Sequence, residues 1–327
     1  MTKKAPGRVH RQGMTIIELF KRYPTDHAAE KWFEAQRWPD GRFCPDCGST
    51  NTVRVKGRKP MPYRCRDCRS HFSVRKGTVM QASRIGLQKW LIAIYMMTTG
   101  IKGTSSMKLH REIGVRQATA WFMMQRIREG FVDGDAKPFI GPVEVDESHF
   151  GGKRKNMHAK RRRELREKHG KARWGAHTVV AGAKDRETGR VRGRVVPGVD
   201  RQTLYGFVDE VAAPDATLYT DEWKSYRGAR ADHVAVNHST GTFVKDMAHT
   251  NGLESFWSLM KRGYTGTYHK LSPKHLDRYV AEFAGRHNVR DMDTPVQMGT
   301  LVRGMEGRRL RYVDLIADNG LDSGARS

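Results

Sequence analysis

Near the start of the chain, apolar residues recur at helical spacing: Ile16, Ile17, Leu19 and Phe20, then Ala28, Ala29, Trp32 and Phe33, with a break at Pro24. That pattern predicts two short amphipathic helices. Between 42 and 75 the period changes, and Tyr63, Phe72 and Val74 supply β-type residues. Arg84–Met97 predicts a third helix, stopped by Thr98-Thr99-Gly100 and Gly103. Ser105–Ile113 and Gln117–Arg128 predict two more, on either side of a turn at Gly114. Helix, short helix, turn, helix is the outline of a helix-turn-helix unit. Arg116, Gln117, Thr119 and Gln125 could then offer bases or phosphates a partner. A small three-helix bundle with no such role fits the same outline.

After residue 140 the alternation Val143-Glu144-Val145-Asp146 predicts a strand. Thr178–Ala183 and Val191–Val196 flank Asp185–Gly189 as a hairpin. Gln202–Ala213 reads as a helix, Ala216–Tyr219 and His233–Val236 as strands, and Leu253–Arg262 and Pro273–His287 as helices. The order β-β-β-α-β-β-α implies one mixed sheet with helices on it. Residues 153–173 interrupt it with 11 Lys or Arg against Glu164 and Glu167, and almost no large apolar side chain. This predicts a solvated basic insertion rather than a core element. The last 20 or so residues, rich in Gly, Asp and Ser, predict a frayed tail.

Charge narrows the partners. The 327 residues hold 60 Lys and Arg against 35 Asp and Glu, a formal net charge of +25. With 38% apolar residues and 33 Gly the chain can bury a core, so wholesale disorder is excluded. Self-repulsion of that size calls for a polyanion, and nucleic acid is the commonest. An anionic membrane surface is the rival. The longest apolar run, Trp90 to Met97, falls far short of the roughly 20 residues that span a bilayer. Met14–Phe20 is broken by Glu18 and is no signal peptide, so an intracellular, cytoplasmic protein is expected.

All four cysteines, Cys44, Cys47, Cys65 and Cys68, fall in one C-x2-C-x17-C-x2-C pattern. Each x2 pair can curl around a metal, with Gly48 easing the first turn, and two pairs give a tetrahedral thiolate site. Two disulfides would suit a secreted chain, and four unrelated thiols would not fall into matched pairs. Structural Zn2+ is the expectation, because four thiolates leave no open position for catalysis.

Three acids stand where a sheet could bring them together. Asp146 closes the first strand, Asp221 follows the strand Leu218–Tyr219 by two residues, and Glu254 lies in the first turn of a helix. Converging carboxylates persist only around a divalent cation, and oxygen ligands favour Mg2+ or Mn2+. Two such ions about 3.5–4 Å apart support in-line attack on a phosphodiester. Asn251, Glu254, Ser258 and Lys261 share one helical face, beside an apolar stripe of Leu253, Phe256 and Met260. Thirty-five acids also make such triples by chance.

The motifs VEVDES (143–148), YTDEW (219–223) and HTNGLESFWSLMKRG (249–263) resemble DDE-type insertion-sequence transposases. The group they resemble is the ISXO type, which has an N-terminal zinc ribbon and is related to eukaryotic Merlin elements. The resemblance runs from CPDCGS to RHNVRD (286–291). It implies a multidomain α+β protein: N-terminal helices (1–41), a zinc ribbon (42–75), a helix-turn-helix-like unit (80–132), and an RNase H-like catalytic domain. That domain (140–290) would hold a mixed five-stranded sheet and carry the basic insertion, followed by a C-terminal helix and tail (291–327).

By the same resemblance the protein binds the terminal inverted repeats of its element and target DNA, as a homo-oligomer on the nucleoid. It cleaves and transfers strands with Mg2+. Asp146 and Asp221 are then metal ligands, and Lys261 holds terminal DNA. Some members of the group carry Asn as the third ligand, and this chain has both candidates: Glu254 supplies charge, Asn251 only a neutral carbonyl. Arg161, Arg162 and Arg163 of the basic insertion are candidates for backbone contacts. Among His149, His177, His238 and His249, the last adjoins the motif. Two rival readings remain open: a DNA-binding regulator with an inactive catalytic domain, and a stand-alone nuclease of the same fold.

Overall fold

Thr15 and Thr25 open the first two helices, α1 (Ile16–Arg22) and α2 (Asp26–Arg37), by accepting backbone N–H bonds from Glu18 and Ala28. Glu18 returns a bond to the Thr15 backbone, which completes a capping box. The computed structural model describes residues 11–133, 137–151, 158–169, 177–221, 233–236 and 251–321. The chain divides into two units: Met1–Val132 with Val289–Asp318, and Asp133–Asn288 with Asn319–Ser327.

In the first unit, β1 (Thr52–Arg54), β2 (Tyr63–Cys65) and β3 (His71–Phe72) form an antiparallel ribbon. Trp38, at the end of α2, meets the rings of Tyr63 and Phe72 edge-on at 5.9 and 6.1 Å. The helices α3 (Leu87–Thr99), α4 (Ser106–Ile113) and α5 (Gln117–Glu129) follow. Trp90, Leu91, Ala93, Ile94 and Met97 are all fully buried, so α3 is the central helix, as its unbroken apolar run requires. Gln125 is also fully buried, so it offers nothing to bases or phosphates. Its polarity misleads: it lies one turn from Trp121 among Met123, Met124 and Ile127 on the inward side of α5.

The C-terminal segment returns to this unit as α10 (Thr294–Gly304) and α11 (Tyr312–Ile316). Met298, Leu301, Val302 and Met305 join one core with the ribbon and α1–α5. Backbone bonds from Val79 N to Met305 O and from Gly307 N to Gly77 O fix the return. Residues 312–316, which composition assigns to a frayed tail, form α11 instead. Leu310 and Leu315 are buried, two apolar residues hidden among glycine and arginine.

The second unit is a five-stranded sheet in the order β6-β5-β4-β7-β8. Its strands are β4 (Val143–Phe150), β5 (Thr178–Asp185), β6 (Val191–Val196), β7 (Leu218–Asp221) and β8 (His233–Val236). The first three form an antiparallel meander; β7 runs parallel to β4, and β8 parallel to β7. Counted within the unit this is 3-2-1-4-5, the mixed sheet of an RNase H-like domain. The helix α6 (Ala159–His169) forms within the basic insertion, where no core element was needed.

The period-2 alternation of β4 and β5 sorts their residues between two cores. Val143, Val145, Val179, Ala181 and Ala183 pack under α7 (Arg201–Val211). Phe150 and Val180 pack on the other side, under α8 (Asn251–Gly263) and α9 (Pro273–Asn288). Among the described residues no helix is long and apolar enough to cross a membrane.

Candidate functional site

The four cysteine sulfurs lie within 4.8 Å of one another. The Sγ atoms of Cys44 and Cys68 are 3.6 Å apart, as are those of Cys47 and Cys65. A tetrahedron with Zn–S bonds of about 2.3 Å has edges of about 3.8 Å, so the thiols fit Zn2+ as they stand. Backbone geometry explains why. Each knuckle closes with the same bond, Cys44 N to Ser49 O and Cys65 N to Ser70 O. Each also turns through a left-handed residue just after its second cysteine, Gly48 (φ 75°) and Arg69 (φ 61°).

The two knuckles are cross-braced. Ser70 and Lys76 donate to Asp46 of the first, and Ser49 and Asn51 donate to Asp67 of the second. The Lys76 ammonium and the Ser70 hydroxyl hold the Asp46 carboxyl below its ordinary value. Backbone N–H groups of Cys68 and Asp67 aimed at Cys65 bring its thiol down to about 7. Burial and hydrogen bonds from the neighbouring thiols push Cys47 and Cys68 the other way.

The acids lie in the second unit. The β4–β7 ladder pairs Val143 with Leu218 and Glu144 with Tyr219. Asp146 and Asp221 each stand two residues beyond that last pair, on neighbouring parallel strands. Asn251 and Glu254 begin α8. Asp146, Glu147, Glu254, Trp257, Ser258, Lys261, Arg262 and Thr265 line one open cleft of about 640 Å3. The amphipathic face of α8 builds it: Leu253, Phe256, Trp257 and Met260 are buried while Glu254, Ser258 and Lys261 are exposed. The structure thus brings Asp146, Glu254 and Lys261 to a common cavity and sets the backbone of Asp221 level with Asp146.

Asp146 is held at both oxygens. The Trp257 indole N–H donates to Oδ2 at 3.0 Å, and the Glu147 backbone N–H to Oδ1 at 2.8 Å. Beneath the cleft, the buried Glu144 carboxylate pairs with Arg186 at 2.9 Å, and that guanidinium lies 3.9 Å from the Tyr219 ring centroid. His149 stands three residues along β4, its ring 6.4 Å from that of His177. Burial, then His177 and Lys261, push the His149 pKa below its ordinary value.

The remaining predicted residues belong to other elements. Arg116 is the exposed N-cap of α5, and the exposed Gln117 donates to Ser106 Oγ at 2.8 Å. Arg161, Arg162 and Arg163 lie in α6, and Arg163 is exposed. His238 and His249 lie outside the described residues. Sequence reasoning passes over Trp257, whose only signal is an aromatic on the apolar stripe of α8 next to Phe256.

A zinc ribbon followed in sequence by an RNase H-like sheet, with acids and bases in one cleft, is consistent with a transposase. Residues 138–288 match the ISXO2-like transposase domain, and residues 24–71 the transposase zinc-ribbon domain. The chain is 26% identical over 281 residues to an uncharacterized protein in transposable element ISH50 of Halobacterium salinarum, spanning 82% of this chain and 93% of that one. It is 30% identical over 114 residues to an uncharacterized transposase-like protein of Haemophilus influenzae, spanning 34% of this chain and 91% of that one. No solved structure matches it. The chain belongs to the ISXO2-like transposase family.

Proposed function

We propose that the protein binds the terminal inverted repeats of its insertion sequence and carries out Mg2+-dependent strand cleavage and strand transfer. The observation that carries this reading is the cleft of α8, where Asp146 and Glu254 meet Lys261 and Arg262. Acid and base in one open cavity suit a site that must hold cations and a phosphate backbone together.

Asp146, Asp221 and Glu254 would hold Mg2+ or Mn2+, with Asn251 as the alternative third ligand. The donor set is all oxygen, which fits those hard ions. When bound, the metals supply an activated water or 3′-hydroxyl for attack on phosphorus. The chain's own contribution is placement: β4 and β7 carry the two aspartates, α8 carries the third ligand, and Lys261 orients the DNA end. Nothing in this scheme requires a nucleophilic side chain.

In this reading the ribbon (42–75) and the helical unit (80–132, with Arg116 and Gln117) engage DNA ends, the basic insertion (153–173) grips backbone, and residues 140–290 do the chemistry. A homo-oligomer assembled on DNA in the cytoplasm completes the proposal. The experiment is incubation of the purified chain with its own element ends and Mg2+. Wild type is expected to nick and join, and Asp146→Asn and Asp221→Asn to bind ends without cutting. Cleavage at wild-type rate by Asp146→Asn would overturn the assignment in favour of a DNA-binding regulator. Nicking without joined products would favour the stand-alone nuclease.

A further inference from the structure

We infer that Trp257, seated on Gly182, is a positioning residue that fixes the Asp146 carboxylate for cation binding; this rests on the reading of Asp146 as a metal ligand. Gly182 is the direct partner of Asp146 across the β4–β5 ladder. A Cβ there would stand 2.5 Å from Trp257 Cζ2 and 2.8 Å from Cη2. Real side chains do not approach so closely, so only glycine at 182 admits the indole this near to the strand. The residue opposite Asp146 therefore makes room for the ring that holds Asp146.

The same allowance continues into the next strand. Gly193 of β6 pairs with Gly182, and a Cβ there would meet Val280 of α9 at 3.0 Å. Two adjoining glycines let α8 and α9 settle close to the sheet. The indole is pinned further by Phe150 and Phe256, whose ring centroids lie 6.3 and 5.0 Å away, and it is 4% exposed.

The chemistry of the donor matters. Each carboxylate oxygen has two lone pairs, so a single N–H donor takes up only one of the two on the oxygen it bonds. An indole N–H orients the group without adding positive charge. A Lys or Arg in its place would compete with the metal for the carboxylate. Trp257 also lies between Glu254 and Lys261 on α8, so its bond sets the helix's register against Asp146. Partners of this kind typically contribute 10–100-fold in metal affinity.

The test is Mn2+ binding to the full-length, zinc-loaded chain, read by calorimetry and kept separate from cleavage. Trp257→Phe keeps an aromatic ring and removes the donor. Replacing Trp257 with β-(3-benzothienyl)alanine keeps the bicyclic shape as well, which guards against a folding defect. Both are expected to weaken Mn2+ binding about 10–100-fold while circular dichroism shows the chain still folded. Neither should weaken it further in an Asp146→Asn background.

A second readout is independent of metal. Of the seven indole 15N–1H signals, the one lost in Trp257→Phe should move upfield when Asp146→Asn removes the charged acceptor. If wild type binds Mn2+ and cuts, and both ring-preserving variants bind Mn2+ equally well, Trp257 is packing alone and the inference falls by itself. If wild type binds no Mn2+ at the cleft, the metal reading of Asp146 falls and the inference goes with it, even where the indole signal still responds to Asp146→Asn.

Discussion

At the scale of single residues, α8 sets Asn251 and Glu254 one turn apart, and the choice between them is a question of charge. If Glu254 is the third ligand, Glu254→Gln should lower cleavage by several orders of magnitude, while Asn251→Ala costs about 10–100-fold. Single-turnover cleavage in Mg2+ gives the ranking, and the reverse order would make Asn251 the ligand. His149 supplies a pH prediction. Its pKa is depressed in the folded chain and returns to about 6.5 on unfolding. Below that value the unfolded chain takes up a proton that the folded one resists. The stability present above about pH 6.5 is then lost as pH falls toward the folded pKa. His149→Gln should therefore flatten the fall in Tm between pH 7 and 5, and an unchanged slope would assign the effect to other histidines. Such residues were legible in part. Asp146 and Glu254 announce themselves by type and spacing, whereas Trp257 does not, because its role depends on which residue of β5 lies opposite Asp146.

At the scale of elements, the ribbon shares its core with its neighbours. Cys44, Tyr63, Cys65 and Phe72 are buried in the same cluster as Phe33, Trp90 and Met298. Removing zinc, by Cys65→Ser or a chelator, should thus loosen α1–α5 as well as residues 42–75. Limited proteolysis would show it, with residues 140–288 still resistant; protection of α3 without zinc would count against this coupling. For the basic helix α6 the proposed role is different, a grip on backbone alone, since it carries charge without a base-reading scaffold. Neutralising Arg161, Arg162 and Arg163 should flatten the salt dependence of binding equally on specific and random duplexes, by about 0.9 per lost phosphate contact. An unchanged slope would leave those residues in solvent. Periodicity made most elements readable, and a ribbon is nearly spelled out by its cysteines. It failed at α6, where helix formation needs no apolar stripe, and at Gln125, where a polar type occupies an inward position.

At the scale of the whole molecule, the first unit is discontinuous in sequence, because Val289–Asp318 returns to residues 11–132. A stop codon after Asn288 removes Met298, Leu301, Val302 and Met305 from one core. Each such loss costs about 2–5 kcal/mol, and four together rival the whole stability of a domain. The truncated chain should lose the cooperative unfolding of the first unit and keep that of the second, as differential scanning calorimetry would reveal. Two intact transitions would mean the return is dispensable. No local pattern foretells this closure, since α10 reads as an ordinary amphipathic helix until its partner is known. Arg37 makes the dependence visible at one spot: buried, it donates to the carbonyls of Val74 and Lys76 and pairs with Glu306 at 2.9 Å. On a ribosome the consequence is one of timing. At about 5–20 residues per second, residues 133–288 take roughly 8–30 s to emerge, and throughout that interval the earlier segment waits for its missing helix. A message cut short by mutation within the gene would then yield chains whose first unit never finishes folding, and these would not mature into competitors for the intact protein's binding sites.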